Sequence, residues 1–160
     1  MAVFTATEAL NMALHTEQNG EAFYTAAARK AKDPQVKALL EDLAKQERLH
    51  YQTFQKLAQQ VAAEPPALSG PEWEEYNLYV QAALDSSLFS GPDKALAAAE
   101  GLKDEKEALR MGLGFEKDTM LFYYDLRDML PQAERDLVSA IIREEKKHAQ
   151  RLGAMLRSVS

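Results

Sequence analysis

The sequence predicts an all-α protein: four long helices forming two antiparallel hairpins, joined by a long crossover that contains short helices. Three observations predict it. No stretch alternates Val, Ile or Thr with polar residues as a half-buried strand would. Long amphipathic runs are interrupted at Asp33-Pro34 and Pro131, where the chain has room only for tight turns. One pattern of residues also occurs twice. Glu17 is followed 30 residues later by Glu47-x-x-His50, and Glu116 is followed 29 residues later by Glu145-x-x-His148.

Each element follows from local chemistry. Thr5 with Glu8 three residues on makes a capping box, so a helix is expected from about Ala6 to Lys32. Asp33-Pro34 stops it and starts the next, with Asp as N-cap and Pro at the first helical position. The second helix is expected to run to about Ala63, where Glu64-Pro65-Pro66 ends it. Ser69-Gly70-Pro71 and Ser90-Gly91-Pro92 each break the chain and open a shorter amphipathic piece, WEEYNLYVQAAL and DKALAAAE. A third long helix is expected from about Lys103 to Leu130, and a fourth, after Pro131, from Gln132 to Arg157. Residues 1–160 thus read as a single domain, with hairpins at 6–63 and 103–157 and a crossover at 64–102. About 40 residues between the hairpins are too many for a turn and must cross the bundle. Two hairpins joined by one long crossover is the ferritin-like arrangement, not up-down-up-down.

Composition narrows the function. At 160 residues the chain can bury a sizeable core, and 46% hydrophobic with 28% charged residues is ordinary for a globular protein. It has no cysteine, which excludes disulfides, thiolate metal sites and iron–sulfur centres built by this chain. A net charge of −6 argues against nucleic acid as a partner. No apolar run approaches membrane-spanning length, and MAVFTATEALNMALHTE lacks the basic flank of a secretory signal, so a cytoplasmic protein is expected.

Helical phase brings the repeated residues inward. On the second helix the apolar stripe is Val36, Leu40, Leu43, Phe54, Leu57 and Val61, with Glu47 and His50 in its middle. On the fourth it is Val138, Ile141, Ile142, Leu152 and Met155, with Glu145 and His148 between. Glu17 falls among Leu10, Ala13, Leu14 and Tyr24, and Glu116 among Leu109, Leu113, Met120 and Tyr123. A single Glu-x-x-His says little. Two in equivalent phase, each with a core-facing glutamate upstream, would bring four carboxylates together that must repel unless cations lie between them. Six oxygen and nitrogen ligands without sulfur suit two ions of iron, manganese or zinc. Iron is favoured, because two irons share a two-electron reaction with peroxide or dioxygen. Tyr24 and Tyr123 follow the lone glutamates by seven residues and could bond to metal-bound carboxylates, or simply pack. Glu144 shares its face with Leu137, Ala140 and Arg151 and reads as peripheral; His15 reads as exposed, and Glu21 either approaches the ligands from behind or faces solvent. Gly112 and Gly114 weaken the third helix, and close helix approach is one explanation.

The segments TEQNGEAFYTAAA, LAKQERLHYQTF, GFEKDTMLFYYDL and IIREEKKHAQRL resemble the rubrerythrin branch of the ferritin-like superfamily over nearly the whole chain. The resemblance implies a diiron bundle with Glu17, Glu47, His50, Glu116, Glu145 and His148 as metal ligands. It also implies a homodimer and a role in disposing of hydrogen peroxide or handling iron. Two departures qualify the carry-over. The chain has no rubredoxin domain, so peroxide or dioxygen reduction requires an external electron donor such as rubredoxin. Rubrerythrins proper also carry an additional carboxylate one turn from the third-helix ligand, where this chain has Leu113 and Thr119. The expected function is therefore a diiron oxidoreductase reducing hydrogen peroxide or dioxygen. The alternative is a non-catalytic iron-binding protein with a ferroxidase-type centre. The aromatic residues of the crossover, Trp73, Tyr76, Tyr79, Leu88 and Phe89, read as a cover for the bundle or a subunit contact.

Overall fold

The computed structural model describes residues 5–61, 71, 74, 75, 78, 82 and 91–159. Five helices are bounded within them: α1 (Ala6–Lys30), α2 (Pro34–Gln60), α3 (Pro92–Glu100), α4 (Glu105–Met129) and α5 (Gln132–Ser158). No strand occurs among the described residues. Residues 71, 74, 75, 78 and 82 are helical. The rest of the segment WEEYNLYVQAAL, and Trp73, Tyr76, Tyr79, Leu88 and Phe89, lie outside the described residues.

The helix starts follow the chemistry of their caps. Thr5 closes the predicted capping box with Glu8: the Thr5 hydroxyl accepts from the Glu8 N–H, and the Glu8 carboxylate accepts from the Thr5 N–H at 2.7 Å. Asp33 accepts from the N–H groups of Gln35 and Val36 ahead of Pro34. Gly91 enters α3 with φ 123°, a conformation that a side chain disfavours, and Pro92 sets the first turn. Asp104 caps α4 through the Glu107 N–H. Pro131 stands at the entry to α5 with no side-chain cap.

α1 packs chiefly on α2 and α4 on α5; the hairpins meet through α1 against α4 and α2 against α5, and α3 lies on α1. The predicted stripes form most of the core, with Leu14, Leu113, Met120 and Met155 only partly buried at its edge. Val36, Leu40, Leu43, Phe54, Leu57, Val138, Ile141, Ile142 and Leu152 are all buried. The core falls into two apolar clusters. One gathers Phe23, Leu40, Leu43, Leu109 and Leu152; the other gathers Leu10, Phe54, Leu57, Phe122, Leu126 and Ile142. Buried polar residues occupy the middle of the bundle between them. No helix among the described residues is long and apolar enough to cross a membrane.

Candidate metal centre

The six repeated residues converge. Glu17, Glu47, Glu116 and Glu145 are fully buried, and His50 and His148 are at most 4% exposed. Their ligand atoms form two groups, Glu17–Glu47–His50–Glu145 and Glu47–Glu116–Glu145–His148, each with its atoms within 4.8 Å of one another. Glu47 and Glu145 belong to both groups. They would be shared between two ions, while Glu17 with His50 and Glu116 with His148 would each serve one. Carboxylate and imidazole of one Glu-x-x-His share a helix face because residues three apart are neighbours.

Both imidazoles turn Nδ1 toward the cluster. His50 Nδ1 lies 3.1 Å from Glu145 Oε1 and 3.5 Å from Glu17 Oε2. His148 Nδ1 lies 2.8 Å from Glu145 Oε2, and 3.8 and 3.9 Å from Glu116 and Glu47. The rings stack with centroids 5.5 Å apart. Four buried carboxylate oxygens, Glu17 Oε2, both oxygens of Glu47 and Glu116 Oε2, have no hydrogen-bond partner among the described residues. A buried acceptor without a donor is costly. Acceptor-only atoms converging with two imidazole nitrogens are what hard divalent cations coordinate, so the residues fit a two-metal carboxylate site.

The titration of these groups expresses the same demand for positive charge. Burial, followed by the charges of Glu145, Glu17 and Glu116, raises the Glu47 carboxyl well above the usual range. Burial and the Glu145 charge push Glu116 up to about 8. Burial opposes charge on His50, but the hydrogen bond to Glu145 and the nearby charge of Glu17 prevail and push it up to about 12. His148 is raised to about 9 against the same opposition by Glu116 and Glu145. Burial also works against the Glu145 anion, yet hydrogen bonds from both histidines pull it down to about 2. Whatever cations are at hand, protons or metal ions, the cluster draws them in.

The tyrosines cross between the halves. Tyr24 on α1 donates to Glu116 Oε1 at 2.5 Å, with the Gly112 carbonyl at 3.3 Å. Tyr123 on α4 donates to Glu17 Oε1. Each hairpin therefore holds the other's lone glutamate. Both phenols are raised well above their ordinary value, first by burial and then by the neighbouring glutamates, which keeps them protonated as donors.

A model of the rubrerythrin family matches residues 8–156. The chain belongs to the rubrerythrin family. A crystal structure of a Thermotoga maritima protein assigned as a ferritin-like diiron-carboxylate protein is similar with TM-score 0.69 and 24% sequence identity, covering 100% of this chain and 99% of that one. That likeness shows the fold. No curated protein matches the chain.

Within this rubrerythrin-family bundle the structure brings together all six residues predicted from the repeat, and both tyrosines. His15 is exposed, and Glu21 pairs with Arg48 outside the cluster. One reading is corrected. Glu144 is not peripheral: its carboxylate lies 2.7 Å from His50 Nε2, reaching from α5 across to α2. Its place on α5 alone hid this, because the partner belongs to a helix whose distance the sequence does not state. A second residue was missed. A Cβ on Gly20 would lie 2.7 Å from Glu47 Oε2 and 2.8 Å from the Phe115 ring, so only glycine leaves room for both. Its signal was a lone glycine inside a long helix, three residues from Glu17. Gly112 answers to close approach, because a Cβ there would lie 3.0 Å from the Tyr24 ring; Gly114 faces open space and has no such reason.

Proposed function

We propose that the protein is a non-haem diiron oxidoreductase of rubrerythrin type that reduces hydrogen peroxide or dioxygen with electrons from an external donor. The observation that carries the proposal is the pair of overlapping ligand groups sharing Glu47 and Glu145. Bound there, two ferrous ions would supply together the two electrons that, with two protons, convert one hydrogen peroxide into two waters. The remaining work falls to the chain. Four carboxylates balance the charge of two cations in a dry interior, where electrostatic attraction is strong. His50 and His148 complete the set on either side. Tyr24 and Tyr123 fix the lone glutamates, so that each presents its free oxygen to the centre. Six protein ligands leave open positions on two metals, which a purely structural site does not need. An external donor such as rubredoxin would supply the electrons, since no cysteine of these 160 residues can build an iron–sulfur or rubredoxin-type relay.

Anaerobic loading with ferrous iron, followed by metal analysis and optical titration with peroxide plus a reductant, tests this. The expected result is about two irons per chain and repeated peroxide consumption for as long as reductant lasts. Oxidation that occurs once and stops would favour a non-catalytic iron-handling protein; a preparation that retains no iron would sink both.

A further inference from the structure

We infer that the two metal positions are unequal, and that the position built on Glu17 and His50 fills first and holds its ion more tightly than the one built on Glu116 and His148. The inference rests on the two-metal reading above. The ligands themselves give no reason for a difference, since the repeat matches them in pairs. The reason lies one residue before each Glu-x-x-His motif, where the second half has Glu144 and the first has Gln46.

Glu144 uses its position. The outer nitrogen of His50 lies 2.7 Å from Glu144 Oε2, so with Nδ1 given to a metal the ring proton would sit on Nε2 and be donated to that carboxylate. A carboxylate on the outer nitrogen fixes the tautomer, holds the ring in plane and makes the inner nitrogen a stronger donor to a metal. Gln46 cannot do this for His148. Its amide is neutral and has no charge to lend. Asp42 is the carboxylate whose charge lies near His148, and it is occupied: Arg151 Nη1 binds its Oδ2 at 2.7 Å. The guanidinium cancels the charge that Asp42 would lend. Every carboxylate contact of His148 among the described residues runs through Nδ1. The pattern is not part of the duplication, because Ala140 and Thr53 stand where the repeat would place Asp42 and Arg151. His50 therefore has an anion behind it and His148 a neutralised pair.

The side chain of Glu144 is 49% exposed, so solvent screens its charge and the effect belongs at the lower end of what such partners contribute, about tenfold in affinity. Its exposure also makes Glu144→Gln a mild substitution for folding. The test is titration of chelator-stripped protein with Co2+, followed by calorimetry and visible absorption at fixed pH. The expected result is two resolved steps, the first about tenfold tighter, with Glu144→Gln weakening the first about tenfold and leaving the second within about twofold. Glu116→Ala keeps the tight step alone and Glu17→Ala the weak one. Equal steps in the unmodified protein, or a Glu144→Gln variant that weakens both steps alike or neither, would overturn the inference while leaving the two-metal reading intact. Failure of the unmodified protein to take up any Co2+ would overturn that reading and the inference with it.

Discussion

The two hairpins present the same residues to the centre and different residues behind them. Glu17, Glu47, His50 and Tyr24 in one are matched by Glu116, Glu145, His148 and Tyr123 in the other. Behind them the halves diverge. Gly20 on α1 lets the Phe115 ring and Glu47 approach closely, whereas the equivalent place on α4 is Thr119, buried with no partner for its hydroxyl among the described residues. Phe115 itself stands where the first half has Thr16. The centre is two-fold because one metal-binding geometry serves both sides. Its surroundings are not, because bulk, charge and contact are balanced separately against each neighbouring helix.

The sharpest way to break this comparison is to contrast a shared ligand with an unshared one. Glu47 belongs to both ligand groups and Glu17 to one. Glu47→Ala is expected to lose most bound metal from both positions, and Glu17→Ala to keep about half the metal of the unmodified protein. Metal analysis after gel filtration reads this directly, and equal losses would erase the distinction between shared and lone glutamates.

The next effect is on pH dependence. Glu116 titrates at about 8 in the folded chain against 4.5 as a free carboxyl, and Glu47 is shifted in the same direction. A group whose folded value is raised stabilises fully below its unfolded value and loses that stability as pH rises through the folded one. His148, raised from 6.5 to about 9, adds to the loss at higher pH. Glu145, lowered to about 2, contributes stability above 4.5 that is lost only toward strong acid. Thermal melting of the chelated protein is therefore expected to fall between about pH 6 and 9. The metal-loaded protein should move the other way over that range, since protons compete with metal for the same oxygens. Parallel slopes would contradict the electrostatic account.

The smallest effects separate the two backgrounds. Gly20→Ala forces a methyl group against Glu47 and Phe115 and is expected to destabilise by about 1–3 kcal/mol. Thr119→Val, at the equivalent place, removes a hydroxyl without a partner and is expected to be neutral or stabilising by about 1 kcal/mol. Chemical denaturation of both variants, with metal removed, checks the contrast.

Much of this was legible in advance. The capping box at Thr5, the Asp33-Pro34 start and the break at Pro131 appear where the sequence placed them, and α1 and α4 end within two residues of the expected points. α2 stops at Gln60, three residues short of the expected Ala63. The six residues of the centre were legible because a repeat with constant helical phase leaves few ways to arrange its inward faces. Glu144 was not legible, since its neighbours on α5 give it an outer face and its partner stands on another helix.

Spacing alone determined that four glutamates and two histidines would face inward, since 3.6 residues per turn fixes direction within a helix. Which glutamates are shared, which tyrosine holds which carboxylate, and which histidine receives an outer carboxylate were decided only when the bundle closed. Those relations depend on how far one helix slides and turns against another. That offset is set by the packing of two apolar clusters on either side of the centre, drawn from residues far apart in the chain.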